Sequence, residues 1–109
     1  MSSAAPTRNF SLSVGERIQA IVTGLPAWAR RLKRIEDLRA LLAKRHQEGA
    51  KRAELEALFA ELDGLVVAHN AYYPIEANLP FDAATSRLVD RGKPWRPMRR
   101  ATLDEILRG

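Results

Sequence analysis

From Leu55 onward, apolar or aromatic residues recur at Leu58, Leu62, Leu65, His69 and Tyr72 in alternating steps of three and four, and Phe59, Val66 and Tyr73 widen the stripe. This spacing predicts a helix from Arg52 with an apolar face about five turns long. The opposite side of that helix carries Ala53, Ala57, Ala60, Gly64, Val67 and Ala71, bordered by Glu54, Glu56, Glu61 and Asp63. Small side chains let a neighbour approach closely, and a helical glycine costs about 1 kcal/mol relative to alanine, so this second face reads as a packing surface for another helix, either an upstream one carrying Ile18, Ile21, Val22 and Leu25 or one from a second subunit in a two-fold dimer. The competing reading is that a row of alanines reflects helix propensity alone.

Upstream, Ser13 and Glu16 have capping-box spacing, and Val14, Ile18, Ile21, Val22 and Leu25 share a face, predicting a short first helix that ends near Gly24. Pro26 suits the first turn of a second helix, whose stripe is Trp28, Leu32, Ile35 and Leu42 with Leu38 at its edge, running to about His46. Arg39 falls near the centre of that stripe, where its stem can pack while the guanidinium reaches water. Gly49 marks a short polar turn between antiparallel helices. Across such a hairpin Leu42 faces Leu55 and Leu58, Ile35 faces Leu62 and Leu65, and Trp28 approaches His69 and Tyr72.

Pro74 predicts that the long helix stops or kinks there. Phe81 to Val89 places apolar residues on both sides of a polar centre and reads as a hairpin-like turn in preference to a short helix over 83–91. The stretch 91–100, RGKPWRPMRR, reads as an extended arm whose Trp95 and Met98 need apolar cover. Thr102 and Glu105 repeat the capping-box spacing and open a last short helix. The expected fold class is all-α: an antiparallel helical hairpin with a short N-terminal helix and an extended C-terminal arm ending in a short helix. Its divisions are a flexible tail over 1–10, a hairpin domain over 11–80, and an arm over 81–109 packed on the same domain.

Composition narrows the chemistry. A chain of 109 residues makes one domain with a small core. There is no cysteine, and the two histidines, His46 and His69, are far apart, so no disulfide, metal site or cofactor is expected. No run of eighteen apolar residues and no signal-like leader is present, which predicts a cytoplasmic protein without membrane association. The net charge is +5 but unevenly spread: nine basic and four acidic residues over 1–49, two and five over 50–80, seven and four over 81–109. Basic ends around an acidic middle point either to pairing within the molecule or to an anionic partner.

No phosphate-binding glycine loop, serine elbow or metal-ligand pair at helical spacing occurs. The candidate ligand or partner site is His69, Asn70, Tyr72, Tyr73 and Glu76, with Trp28 approaching. There an imidazole can act as acid or base, or the same groups can lock the arm to the hairpin. Candidate nucleic-acid contacts are Arg30 and Arg34 on the second helix and Lys93, Trp95, Arg96, Arg99 and Arg100 on the arm, a mixture suited to phosphates and base stacking. The expected function is a small non-enzymatic interaction protein that self-associates as a homodimer and binds a protein or peptide partner. The alternatives are a basic nucleic-acid-binding accessory protein and a small ligand-binding module or enzyme built on the His69 cluster.

Overall fold

A computed structural model describes residues 24–109. The tail expected over 1–10 and the helix expected to be capped by Ser13 lie outside the described residues. Two long helices, α1 (Ala27–Gln47) and α2 (Arg52–Glu76), pack as an antiparallel hairpin. They are followed by strands β1 (Phe81–Asp82), β2 (Arg87–Asp90) and β3 (Lys93–Pro94), and by a short helix α3 (Leu103–Leu107). Among the described residues no helix is long and apolar enough to cross a membrane.

The hairpin is closed by backbone chemistry at Glu48 to Ala50. Gly49 adopts φ +81°, its N–H donates to His46 O and the N–H of Ala50 donates to Arg45 O. Together these make a Schellman closure, which uses two otherwise unpaired helix carbonyls. Arg45 then reaches across to Glu54 with two hydrogen bonds, Nε–Oε2 2.5 Å and Nη2–Oε1 3.1 Å. Pro26 sits at the N-cap of α1, one residue ahead of the first turn.

The core is Ile35, Leu38 and Leu42 from α1, Leu55, Leu62 and Val66 from α2, and Leu103 from α3. Leu58, Phe59, Leu65, Met98, Ile106 and Leu107 pack around it. Leu38, expected at the stripe edge, is fully buried, and Arg39, expected near the centre, is exposed. Steps of three and four from Ile35 to Leu38 to Leu42 hold one face inward, and Arg39 lies about 100° beyond Leu38.

Two expectations are corrected. Helix α2 does not stop at Pro74 but continues to Glu76. A proline so near the end forfeits one bond to the carbonyl four residues back, and the residues after it keep theirs. The end itself is a second Schellman closure with Asn78 at φ 50°, Asn78 N–H donating to Ile75 O and Leu79 N–H to Pro74 O.

The all-α expectation holds only in part: two long packed helices dominate, but residues 81–94 form a small three-stranded antiparallel sheet in the order β1-β2-β3. Phe81 pairs with Leu88 and Asp82 with Arg87, across a loop in which Asp82 accepts from Ala84 N–H and Thr85 Oγ1. On the other side Asp90 pairs with Lys93 and Val89 with Pro94, joined by Arg91 and Gly92, both at positive φ. Two such residues make a primed turn whose twist suits a hairpin. Trp95 N–H donates to Leu88 O, so the bonded positions alternate and Pro94, which has no N–H to give, falls between them on an edge strand.

Candidate functional site

At the open end of the hairpin, α1, α2 and the sheet converge on Tyr73. Its ring stacks on His69 at 4.8 Å, meets Trp28 edge-on at 5.3 Å, and stacks on Trp95 at 6.0 Å. Its hydroxyl donates to Asp90 Oδ2 at 2.9 Å. Tyr72, expected to join Trp28 and His69, is instead 57% exposed. Tyr73 follows Leu55 by eighteen residues, about five full turns at 3.6 residues per turn, whereas a stripe counted in alternating threes and fours drifts by roughly 20° per heptad.

His69 is buried, at 5% exposure, and its Nδ1 lies 3.4 Å from Arg31 Nη2. A guanidinium only donates, so Nδ1 carries the lone pair and the neutral ring holds its proton on Nε2. Burial, reinforced by the Arg31 charge and opposed by Glu76, pushes the histidine below its ordinary value of 6.5. Arg31 also holds Glu76, Nη2–Oε1 at 2.5 Å and Nη1–Oε2 at 3.3 Å. That hydrogen-bonded guanidinium keeps the Glu76 carboxyl below the usual carboxylate range. Burial, followed by the Asp90 hydrogen bond and charge, raises the Tyr73 phenol.

Asn70 serves the arm. Its Nδ2 donates to Met98 O at 2.8 Å, and Met98 N–H donates to its Oδ1 at 2.7 Å. One side chain thereby satisfies both backbone groups of a residue that packs on the core. Around neutral pH the cluster holds a neutral imidazole, a neutral phenol and a charge-paired carboxylate. Among the described residues no group of three or more His, Asp or Glu side chains is placed to hold a metal ion.

The structure therefore brings Trp28, His69, Asn70, Tyr73 and Glu76 to one end and leaves Tyr72 outside. Arg31 and Asp90 belong to the cluster and were missed from sequence. Arg31 lies four residues before Ile35 on the inward face of α1, a position where a charged group implies a partner across the hairpin.

Among the expected nucleic-acid contacts, Arg34 pairs with Glu61 (2.8 Å), Arg100 with Asp63 (2.7 Å) and Arg99 with Glu105. Arg30 donates to Leu25 O. Lys93 and Arg96 have no carboxylate within ion-pair distance among the described residues, and Trp95 is half-buried. Arg87, which sequence reasoning did not single out, lines a cleft with Leu88, Trp95, Arg96 and Pro97. Comparison of the chain with protein-family models, curated proteins and solved structures finds no match.

Proposed function

We propose that this is a small non-enzymatic helical interaction protein that self-associates through the outer face of α2 and engages a protein or peptide partner. The observation that carries this reading is the contrast between the outer faces of the two long helices. On α1 the side away from the core shows Lys33, Glu36, Asp37, Ala40, Lys44 and Gln47, all exposed and, Ala40 apart, polar. On α2 the corresponding side shows Ala53, Ala57, Ala60, Gly64, Val67, Ala71 and Ile75, all exposed and none polar. Val67 is 43% exposed and Ile75 78%.

Alanine in such a row follows from propensity, but glycine, valine and isoleucine do not. A Cβ built on Gly64 meets nothing within 4 Å, so no neighbour among the described residues accounts for the glycine. A second helix crossing there at close range does, and two-fold pairing of identical faces is the commonest way to close such a contact.

Light scattering on the full chain tests this. The wild type is expected at twice the chain mass, and Gly64→Arg at the chain mass with its helical circular dichroism retained. A wild type that stays monomeric across the accessible concentration range removes the reading.

A further inference from the structure

The guanidinium groups of the described residues differ in their partners, and Arg39 and Arg108 make no ion pair there. Those that bridge elements are matched to carboxylates: Arg31 to Glu76, Arg34 to Glu61, Arg45 to Glu54, Arg52 to Asp104 and Arg100 to Asp63. The sheet and its continuation behave differently. Arg87, Arg91, Lys93 and Arg96 make no ion pair among the described residues.

Strand register sets Asp82 opposite Arg87 and Asp90 opposite Lys93, yet both acids are turned to other donors. Asp82 accepts from Ala84 N–H and Thr85 Oγ1, and Asp90 accepts from the Tyr73 hydroxyl. Over residues 81–96 four cations and two carboxylates thus leave a net charge of +2, and none of the four cations is tied into an ion pair among the described residues.

Two of these cations, Arg87 and Arg96, line an open cleft of about 360 Å³ with Leu88, Trp95 and Pro97. Trp95 is held by Tyr73 stacked on its ring and by its N–H bond to Leu88 O. An indole so fixed offers a stacking surface at little cost in side-chain entropy, and Leu88 and Pro97 supply apolar walls. Guanidinium groups match phosphate oxygens in geometry as well as charge. A planar apolar platform in one cleft with two guanidiniums that make no ion pair is complementary to a planar ring carrying a phosphate.

We propose that this cleft binds a nucleotide unit of a single-stranded nucleic acid, with the base on Trp95 and phosphates at Arg87 and Arg96. Arg91 and Lys93, on the same hairpin, add positive charge beyond the cleft, which favours a strand over a free nucleotide. The site is independent of the outer face of α2, so it stands or falls apart from self-association.

Fluorescence anisotropy of labelled ten-residue oligo(dT) and oligo(U), titrated with the full-length protein at low salt, tests it. Binding is expected to weaken with salt by about 0.7 in log K per log unit of salt for each phosphate engaged. Arg87→Ala and Arg96→Ala should each weaken binding by about fivefold or more and each reduce that slope by about 0.7. Both side chains belong to exposed residues, and thermal melts confirm that the variants fold.

Lys44→Ala removes an exposed cation of α1 that also has no ion pair, and should leave affinity within about twofold. An abasic oligomer of the same length should bind at least about fivefold more weakly, because base stacking contributes about 1 kcal/mol or more. Thymidine monophosphate and uridine monophosphate should compete only at far higher concentration. The proposal is overturned by absent binding at low salt, by equal binding of the abasic oligomer, by equal loss in Lys44→Ala, by unchanged affinity in the Arg87→Ala/Arg96→Ala double variant, or by mononucleotides binding as tightly as the strand.

Discussion

His69 and Asn70 are adjacent in sequence and do different physical work, because successive residues of a helix point about 100° apart. His69 faces α1. Its pKa in the folded protein is depressed below 6.5, so as pH falls through 6.5 the unfolded chain takes up a proton that the native state resists. The associated stability is complete above 6.5 and is lost from there down towards the folded value. In urea melts the wild-type midpoint should therefore fall between about pH 7.5 and about pH 5, and His69→Leu should remove that part of the fall. An identical drop in wild type and variant would assign the acid sensitivity elsewhere. Asn70 faces the arm, and Asn70→Ala strips two hydrogen bonds from half-buried Met98 backbone groups. A loss of about 2 kcal/mol is expected, together with faster amide exchange at Met98 and its neighbours; slow exchange at Met98 in the variant would show that packing alone holds the arm.

At the scale of elements, the helical hairpin was legible because three separate signals agree on it: the stripe from Leu55, the stripe through Ile35 and Leu42, and a glycine between them. Gly49 is required by its positive φ, which costs an L residue with a Cβ about 1–2 kcal/mol. Gly49→Ala should lower stability by about 1 kcal/mol in chemical denaturation, and an unchanged midpoint would mean that the turn relaxes to another closure. The end of α2 was less legible. Proline marks a boundary only to within a turn, and Asn78, which sets the actual end by adopting φ 50°, is a weaker signal than glycine. The sheet was partly legible: the turn centred on Thr85 was expected, but two of the strands are two residues long, too short for any alternation to show. Arg91 in the primed turn and Pro94 inside β3 read as loop residues by type, and only the pairing register makes them strand chemistry. In the candidate site, His69, Asn70 and Glu76 were visible as polar residues at the end of an apolar stripe, while Asp90 was not, since its partner Tyr73 lies seventeen residues earlier.

Across the whole molecule, the uneven charge along the chain corresponds to contacts between elements: α1 pairs with α2 through Arg34 and Glu61, and the arm returns to α2 through Arg100 and Asp63. Exposed pairs of this kind contribute little each, so they orient the arm more than they hold it. What holds it is apolar. Leu103 is 6% exposed and joins the core formed by α1 and α2, although α3 has only five residues and such a helix has no stability of its own. The capping box between Thr102 and Glu105 closes its first turn with both reciprocal bonds, 2.8 and 3.2 Å, and so presents Leu103 to the core in a fixed direction. If the arm is part of one cooperative unit, Leu103→Ala should cost about 2–4 kcal/mol despite lying near the end of the sequence, because it opens a cavity in the core shared with α1 and α2 rather than fraying a terminus. Helical circular dichroism reports mainly on α1 and α2, while tryptophan fluorescence reports on Trp28 and Trp95 beside Tyr73. The two thermal transitions should coincide in the wild type and shift down together in Leu103→Ala. A fluorescence transition that precedes the loss of helix, or a variant whose helical melt is unmoved, would instead make the sheet and arm a separate unit resting on an independently stable hairpin.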